Sequence, residues 1–193
     1  MRLMTHSEVP VGRDGAVTIG LVADTHCHAG QISLPDAALE ALGGCALILH
    51  LGDMGEASVL DRLASVAPVL ATRGGDDPAE DPRIADDGRL LGAGDLALAA
   101  AFELGQLLPG AKSEGPALPP DRIDALLRTR ARRDVHAILF AATHSPALFT
   151  RDGILFVNPG SATLPVTRGP SGLGTVARLT LRGSTLEPHI VQL

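Results

Sequence analysis

Residues 20–28 read G-L-V-A-D-T-H-C-H. The stretch carries the end of an apolar run, Ala16–Ala23, straight into a carboxylate and an imidazole two residues apart. Val, Ile and Leu alternate and cluster over that run, the pattern of a buried strand. In extended chain, residues i and i+2 point to the same side, so Asp24 and His26 are expected to face one point just past a strand end.

The arrangement recurs outward from there. Pro35–Leu42 is expected to form a short helix, with Pro in its first turn and Gly43-Gly44 at its end. Ala46–His50 (A-L-I-L-H) reads as a second buried strand ending at Leu51-Gly52-Asp53. Glu56–Ser65 is expected to be helical, and Val66–Thr72 is a third strand running into Arg73-Gly74-Gly75-Asp76-Asp77. This β-α-β-α-β order predicts an α/β fold with ligands gathered outside the carboxyl ends of its strands.

Residues 78–95 are rich in Asp, Gly and Pro, with a short hairpin expected near Arg89–Leu91. Asp95–Phe102 reads as a strand and Leu108–Pro120 as a loop. A helix is expected from 121 to 133, then a strand at Val135–Ala141 leading to Thr143-His144-Ser145-Pro146. Beyond Ala147 the chain alternates, with turn signals at 151–153 and 182–184, and is expected to form antiparallel strands. Residues 1–15, polar with one Pro and two Gly, are expected to be a loose lead-in that contains His6. The whole, 1–193, reads as one domain of two sheets packed face to face with helices outside.

Composition narrows the function classes. The chain is 45% apolar but only 2% aromatic, with no Trp or Tyr, so its core is aliphatic. A formal charge of −6 argues against non-specific binding to nucleic acid or to an anionic membrane surface. Two cysteines, Cys27 and Cys45, make no disulfide framework. No leader pattern and no apolar run of about 20 residues is visible, which makes a cytoplasmic protein the default expectation.

Asp24, His26, Asp53 and His144 all stand at strand ends and together form a mixed oxygen and nitrogen donor set suited to Mn, Fe, Zn or a similar divalent ion. Any one of them alone reads more simply as a structural residue. Their order, with R-G-G-D-D at 73–77, T-H-S-P at 143–146 and N-P-G-S at 158–161, resembles the calcineurin-like metallophosphoesterases, specifically their small bacterial and archaeal phosphodiesterase branch. The resemblance spans residues 17 to about 180. It implies a four-layer α/β/β/α sandwich and a hydrolase site for two metal ions that share one Asp.

In that pattern the first ion takes Asp24, His26, Asp53 and His144, all present here. The second takes the shared Asp and three further donors, whose positions fall on Gly75, Leu104 and Ala142. None of these three side chains coordinates a metal. Asp76, Asp77 and His28 (with Cys27 beside it) are candidate substitutes; the plainer reading is that the two Asp cap the turn and His28 is a solvated loop residue. Arg73 is expected to meet either a substrate phosphate or a neighbouring carboxylate, and Asn158 to shape the cleft wall. His50, His136 and His189 read as structural.

Two ions activate the attacking water and neutralise the phosphoryl oxygens together, and one ion does so with about half the charge. The resemblance therefore implies a phosphoesterase with one retained ion, a doubtful second and weak activity on a small phosphate ester. The alternative is a non-catalytic binding or scaffold protein that engages a protein partner.

Overall fold

The computed structural model describes residues 4–12, 15–111, 123, 125, 127–128, 131 and 133–193. In chain order the elements are β1 (Thr5–Glu8), β2 (Ala16–Val22), α1 (Asp36–Ala41), β3 (Leu47–His50), α2 (Ser58–Ala64), β4 (Val69–Thr72), β5 (Ile84–Ala85), β6 (Arg89–Ala93) and β7 (Leu96–Ala100). There follow α3 (Leu104–Leu107), β8 (Ala137–Leu139), β9 (Pro146–Arg151), β10 (Ile154–Pro159), β11 (Thr175–Arg182) and β12 (Thr185–Gln192).

The strands form two mixed six-stranded sheets, ordered β1-β6-β7-β8-β10-β9 and β12-β11-β2-β3-β4-β5. In the second sheet β2, β3, β4 and β5 run parallel, so the loops after β2, β3 and β4 leave the same edge. In the first sheet β8 and β10 are parallel and bring residues 140–145 and 160–164 to one end.

Three apolar layers hold these elements together. Between the sheets Val17, Ile19, Leu21, Leu47 and Leu49 meet Leu91, Leu98, Leu139 and Val157. Outside the second sheet α1 and α2 add Ala38, Val59, Leu60 and Leu63 to Val22, Ile48 and Val69. Outside the first sheet lie Leu104 and Leu107 of α3 and Ile123, Leu127 and Ala131, which follow one another at helical spacing. The expected helix at 121–133 is helical at its described residues between 123 and 131; its other residues lie outside the described set. The result is the α/β/β/α layering. Each buried Leu, Ile or Val contributes about 1.5–3 kcal/mol.

The sequence reading needs correction in several places. Residues 5–8 are not a loose lead-in. They form β1, parallel to β6 with Thr5 opposite Arg89 and Glu8 opposite Gly92. Their side chains are mostly exposed, so the stretch looks polar, yet buried Met4 and Val9 anchor it at both ends. His6 lies on this strand, its Nε2 3.0 Å from Glu8 Oε1. In the tail, β10 pairs antiparallel with β9 but parallel with β8, and β11 and β12 join the other sheet. The short α3 falls between the expected strand and loop, carried by a capping box in which Glu103 and Gln106 exchange side-chain and backbone bonds.

Candidate metal centre

The loops after β2, β3, β4 and β8 bend sharply where they meet. Asp24, His26, Asp53, Ala142 and His144 all have positive φ, from 42° to 70°. Non-glycine residues rarely adopt this left-handed region, and a cluster of them is where folds hold functional strain. Asp24 and His26 therefore converge through two left-handed turns, not through the pleat of an extended strand as their spacing suggests. Gly52, at φ 109°, lets the backbone of the Asp53 loop lie against Gly74, where a Cβ would sit 2.8 Å from the Gly74 nitrogen.

Among the described residues, Asp24, His26 and His144 present ligand atoms all within 4.8 Å of one another. The two imidazoles stack, with centroids 5.2 Å apart. Asp53 adjoins this trio, its Oδ2 3.6 Å from His26 Nε2. Asp24 is fully buried; its Oδ2 accepts from the Ala142 N–H at 3.2 Å and its Oδ1 has no hydrogen-bond partner. Burial pushes the Asp24 carboxyl up to about 6, an effect opposed by His144 and reinforced by Asp53. A buried carboxylate oxygen with no donor, beside two imidazoles and a second carboxylate, is a donor set that fits a divalent cation.

The backbone and its neighbours hold these groups rigidly. His144 Nδ1 donates to the Leu164 carbonyl at 2.7 Å, which leaves Nε2 as the nitrogen that could accept a metal. Ser161 Oγ donates to the Asp24 carbonyl at 2.7 Å and Thr163 Oγ1 to the Thr25 carbonyl at 2.6 Å. Asn158, wholly buried, donates to the Ala141 carbonyl and Thr143 Oγ1 and accepts from Gly160. It is therefore a brace for the His144 loop more than a cleft wall.

His50 has a similar part that its place in the sequence did not reveal. Its Nδ1 accepts from the Gly52 N–H, so Nε2 carries the proton and donates to Thr25 Oγ1 at 3.0 Å. Thr25 in turn donates to the Met54 carbonyl, tying the D-T-H loop to the Gly-Asp loop. Full burial pushes the His50 imidazole down to about 3, with His26 as a lesser cause, so it stays neutral.

The remaining expected site residues are distributed unevenly. Asp77 uses both oxygens on backbone N–H groups, those of Met54 (2.7 Å) and Gly74 (2.6 Å), and burial raises its carboxyl. Asp76 Oδ2 accepts from His26 Nδ1 at 2.8 Å and from His28 Nε2 at 3.1 Å; these hydrogen bonds, the one from His26 first, hold its carboxyl below the usual range. Cys27 is buried in the outer core, where its thiol is pushed up. Arg73 meets a neighbouring carboxylate: it bonds Asp86 and the carbonyls of Pro78 and Ala79.

Gly75 lies beside Asp53, where an added Cβ would be 3.7 Å from Asp53 Oδ1. Leu104 is displaced from its expected place: it is fully buried in the outer layer with Ala101 and Leu107. Phe102 is the residue that abuts Gly52. Phe102 joins the layer between the sheets and Ala101 the outer layer; the chain then turns into α3, which carries Leu104 into the outer layer. Next to the loops, a concavity of about 340 Å³ opens between residues 27–34 and the start of α2, with His28, Gln31, Ser33 and Arg62 among its lining.

Comparison with known proteins agrees with this geometry. The calcineurin-like phosphoesterase superfamily domain matches residues 17–184. The chain belongs to that superfamily. A probable metallophosphoesterase of Methanothermobacter thermautotrophicus is 27% identical over 177 residues, covering 90% of this chain and 91% of the relative. Another from Methanocaldococcus jannaschii is 28% identical over 153 residues, 78% of this chain and 71% of the relative. The fold is that of vacuolar protein sorting 29 from Cryptosporidium parvum, with a TM-score of 0.70 at 20% identity and 93% of each chain covered. The solved structure of a novel archaeal phosphodiesterase gives a TM-score of 0.63 at 20% identity, covering 92% of this chain and 100% of that one. The small archaeal and bacterial phosphodiesterase branch is thus the part of the superfamily to which the chain is similar. Divalent-metal binding is typical of the superfamily, and none of the described helices is long and apolar enough to cross a membrane.

Proposed function

We propose that this chain is a phosphoesterase that holds one divalent ion at Asp24, His26, Asp53 and His144 and hydrolyses a small phosphodiester or phosphomonoester slowly. The observation that carries the reading is the convergence of Asp24, His26 and His144 ligand atoms, together with a buried Asp24 oxygen that has no hydrogen-bond partner among the described residues. An ion there supplies Lewis acidity and acidifies water for attack on phosphorus. The chain's part is to fix the donors: Leu164 orients His144, Ser161 and Thr163 hold the backbone of Asp24 and Thr25, and His50 joins the two carboxylate loops. The concavity beside His28 offers room for the organic part of an ester. Low turnover is supported by Gly75 beside Asp53, Phe102 against Gly52 and Ala142 against Asp24, none of which offers a donor side chain.

That same feature supports a second reading, a non-catalytic protein that keeps the ion to order a surface for a protein partner. Reconstitution with Mn followed by metal analysis, with turnover of bis-p-nitrophenyl phosphate on the same sample, separates the two. The enzyme reading expects about one ion per chain and metal-dependent turnover that Asp53→Asn abolishes. An ion without turnover leaves the second reading, and no ion overturns both.

A further inference from the structure

We infer that Asp76 is a positioning residue that turns His26 and Asp53 toward a single point, and that His28 tethers Asp76 for this task. The inference rests on the metal reading above, and it assigns Asp76 and His28 roles other than coordination. Four bonds meet on Asp76, three of them bearing on the ligands and their loop directly. Its Oδ2 accepts from His26 Nδ1 at 2.8 Å, which fixes the proton on Nδ1 and leaves Nε2, across the ring, bare and facing the Asp53 carboxylate. Its own N–H donates to Asp53 Oδ1 at 2.9 Å, so the Asp53 oxygen turned toward His26 is Oδ2. Its carbonyl accepts from the Gly55 N–H at 2.7 Å and closes the turn that follows Asp53. One residue thereby sets the tautomer and direction of one ligand and the rotation of another.

The tether follows from exposure. The Asp76 side chain is 39% exposed, and a carboxylate held by a single hydrogen bond at such a surface exchanges readily with water. His28 Nε2 donates to the same Oδ2 at 3.1 Å, so two N–H groups hold the oxygen in place. With both donors on Oδ2, that oxygen points at ring nitrogens and is not turned to the point where Asp24, His26 and His144 converge. A carboxylate behind a metal-binding imidazole also makes the ring a stronger donor, and loss of such a partner costs about 10–100-fold in metal affinity. The sequence R-G-G-D-D thus supplies two carboxylates with separate duties: Asp77 ties backbone, and Asp76 aims ligands.

The test uses the full chain with Asp76→Ala, Asp76→Asn and His28→Ala. Long-range proton–nitrogen spectra of the imidazoles in metal-free protein report the His26 tautomer. Co(II) titration against a competing chelator reports affinity, and urea midpoints report folding. The wild type is expected to carry its His26 proton on Nδ1, and Asp76→Ala to lose that preference. Co(II) affinity should fall 10–100-fold in Asp76→Ala, less in Asp76→Asn, whose amide oxygen still accepts from Nδ1, and less than about tenfold in His28→Ala. A merely structural Asp76 would lower the urea midpoint and leave the tautomer untouched. An unchanged tautomer with Co(II) affinity within about twofold in Asp76→Ala overturns the inference. If the wild type binds no Co(II), the metal reading fails, and the tautomer in metal-free protein alone decides the role of Asp76. Should Asp76→Ala not fold, the Asp76→Asn and His28→Ala spectra carry the decision.

Discussion

On one side of Asp53 stand Asp24, His26 and His144, each in a left-handed turn and each tied by at least one further hydrogen bond from its side chain or backbone. A second side of the same loops carries Gly75 beside Asp53, Phe102 against Gly52 and Ala142 against Asp24, without a donor side chain among them, although Ala142 shares the left-handed backbone of its neighbours. The difference teaches where the fold's cost lies. Strained backbone and a buried carboxylate are unfavourable to stability, and the first side retains both together with the groups that brace them. The second side offers no side-chain donor and shares part of the strain.

The largest expected effect follows from Asp24. Between pH 3.8 and about 6 the folded chain holds this proton more tightly than the unfolded chain does, so metal-free stability should fall as the pH rises through that window. Above it the burial of the charged form costs about 3 kcal/mol. Asp24→Asn is therefore expected to raise the stability of the metal-free protein at pH 7.5 by up to that amount while abolishing its metal binding. Metal added to the wild type should reverse the ranking. Urea unfolding at pH 4, 5, 6 and 7.5, with chelator and with Mn, checks both statements. A variant no more stable than metal-free wild type at pH 7.5 would show that Asp24 is not held at such a cost.

A smaller effect is expected from refilling the other side. Gly75→Asn places a side chain where a Cβ meets Asp53 Oδ1 at an ordinary 3.7 Å, and Ala142→His puts an imidazole on a backbone conformation His144 already adopts. The double variant should take up a second ion per chain and turn over bis-p-nitrophenyl phosphate about tenfold faster, equivalent to about 1.4 kcal/mol off the barrier. Metal analysis and initial rates are the readouts. One ion and an unchanged rate would mean that Phe102 or the loop geometry blocks the second position.

How far this was legible in the sequence varied with the kind of signal. Buried parallel strands announce themselves as apolar runs, so β2, β3 and β4 and the loops after them could be read directly, as could the layering that follows from their order. The meeting of Asp24, His26 and His144 was legible because each stands just past such a run. β1 was not, because an edge strand with exposed side chains is held by backbone bonds that leave no apolar trace. Nor was the outward burial of Leu104, which follows from α3 beginning at that residue. The parts played by His50, Asp76, Asp77 and Asn158 rest on contacts made 2–50 positions away along the chain. Spacing carries no record of those contacts. The clustered positive φ values could not be read either, since Asp and His tolerate that region without glycine's obvious mark.

The smallest prediction bears on the strain at Ala142 on the second side. Ala142 has φ 70°, and its N–H donates to Asp24 Oδ2. An L-residue in this region is disfavoured by about 1–2 kcal/mol relative to the right-handed one, through contact of Cβ with the following carbonyl. Glycine escapes that contact but loses more conformational freedom on folding, an opposing effect of about 0.5–1 kcal/mol. The balance leaves Ala142→Gly more stable by about 0.5–1 kcal/mol, which for a chain of this size raises Tm by about 1–4 °C. The backbone bond to Asp24 survives the change, so the metal content should not move. The same substitution at His144 would also relieve strain, but it would remove a ligand, and metal affinity should fall more than 100-fold because a ligand matters more than the partner behind it. Calorimetry and metal analysis on the two glycine variants thus separate strain at a candidate ligand from strain at a residue with no donor side chain. A lower Tm for Ala142→Gly, with metal content intact, would mean that Cβ packing at residue 142 outweighs the strain and that this turn is held for its own sake.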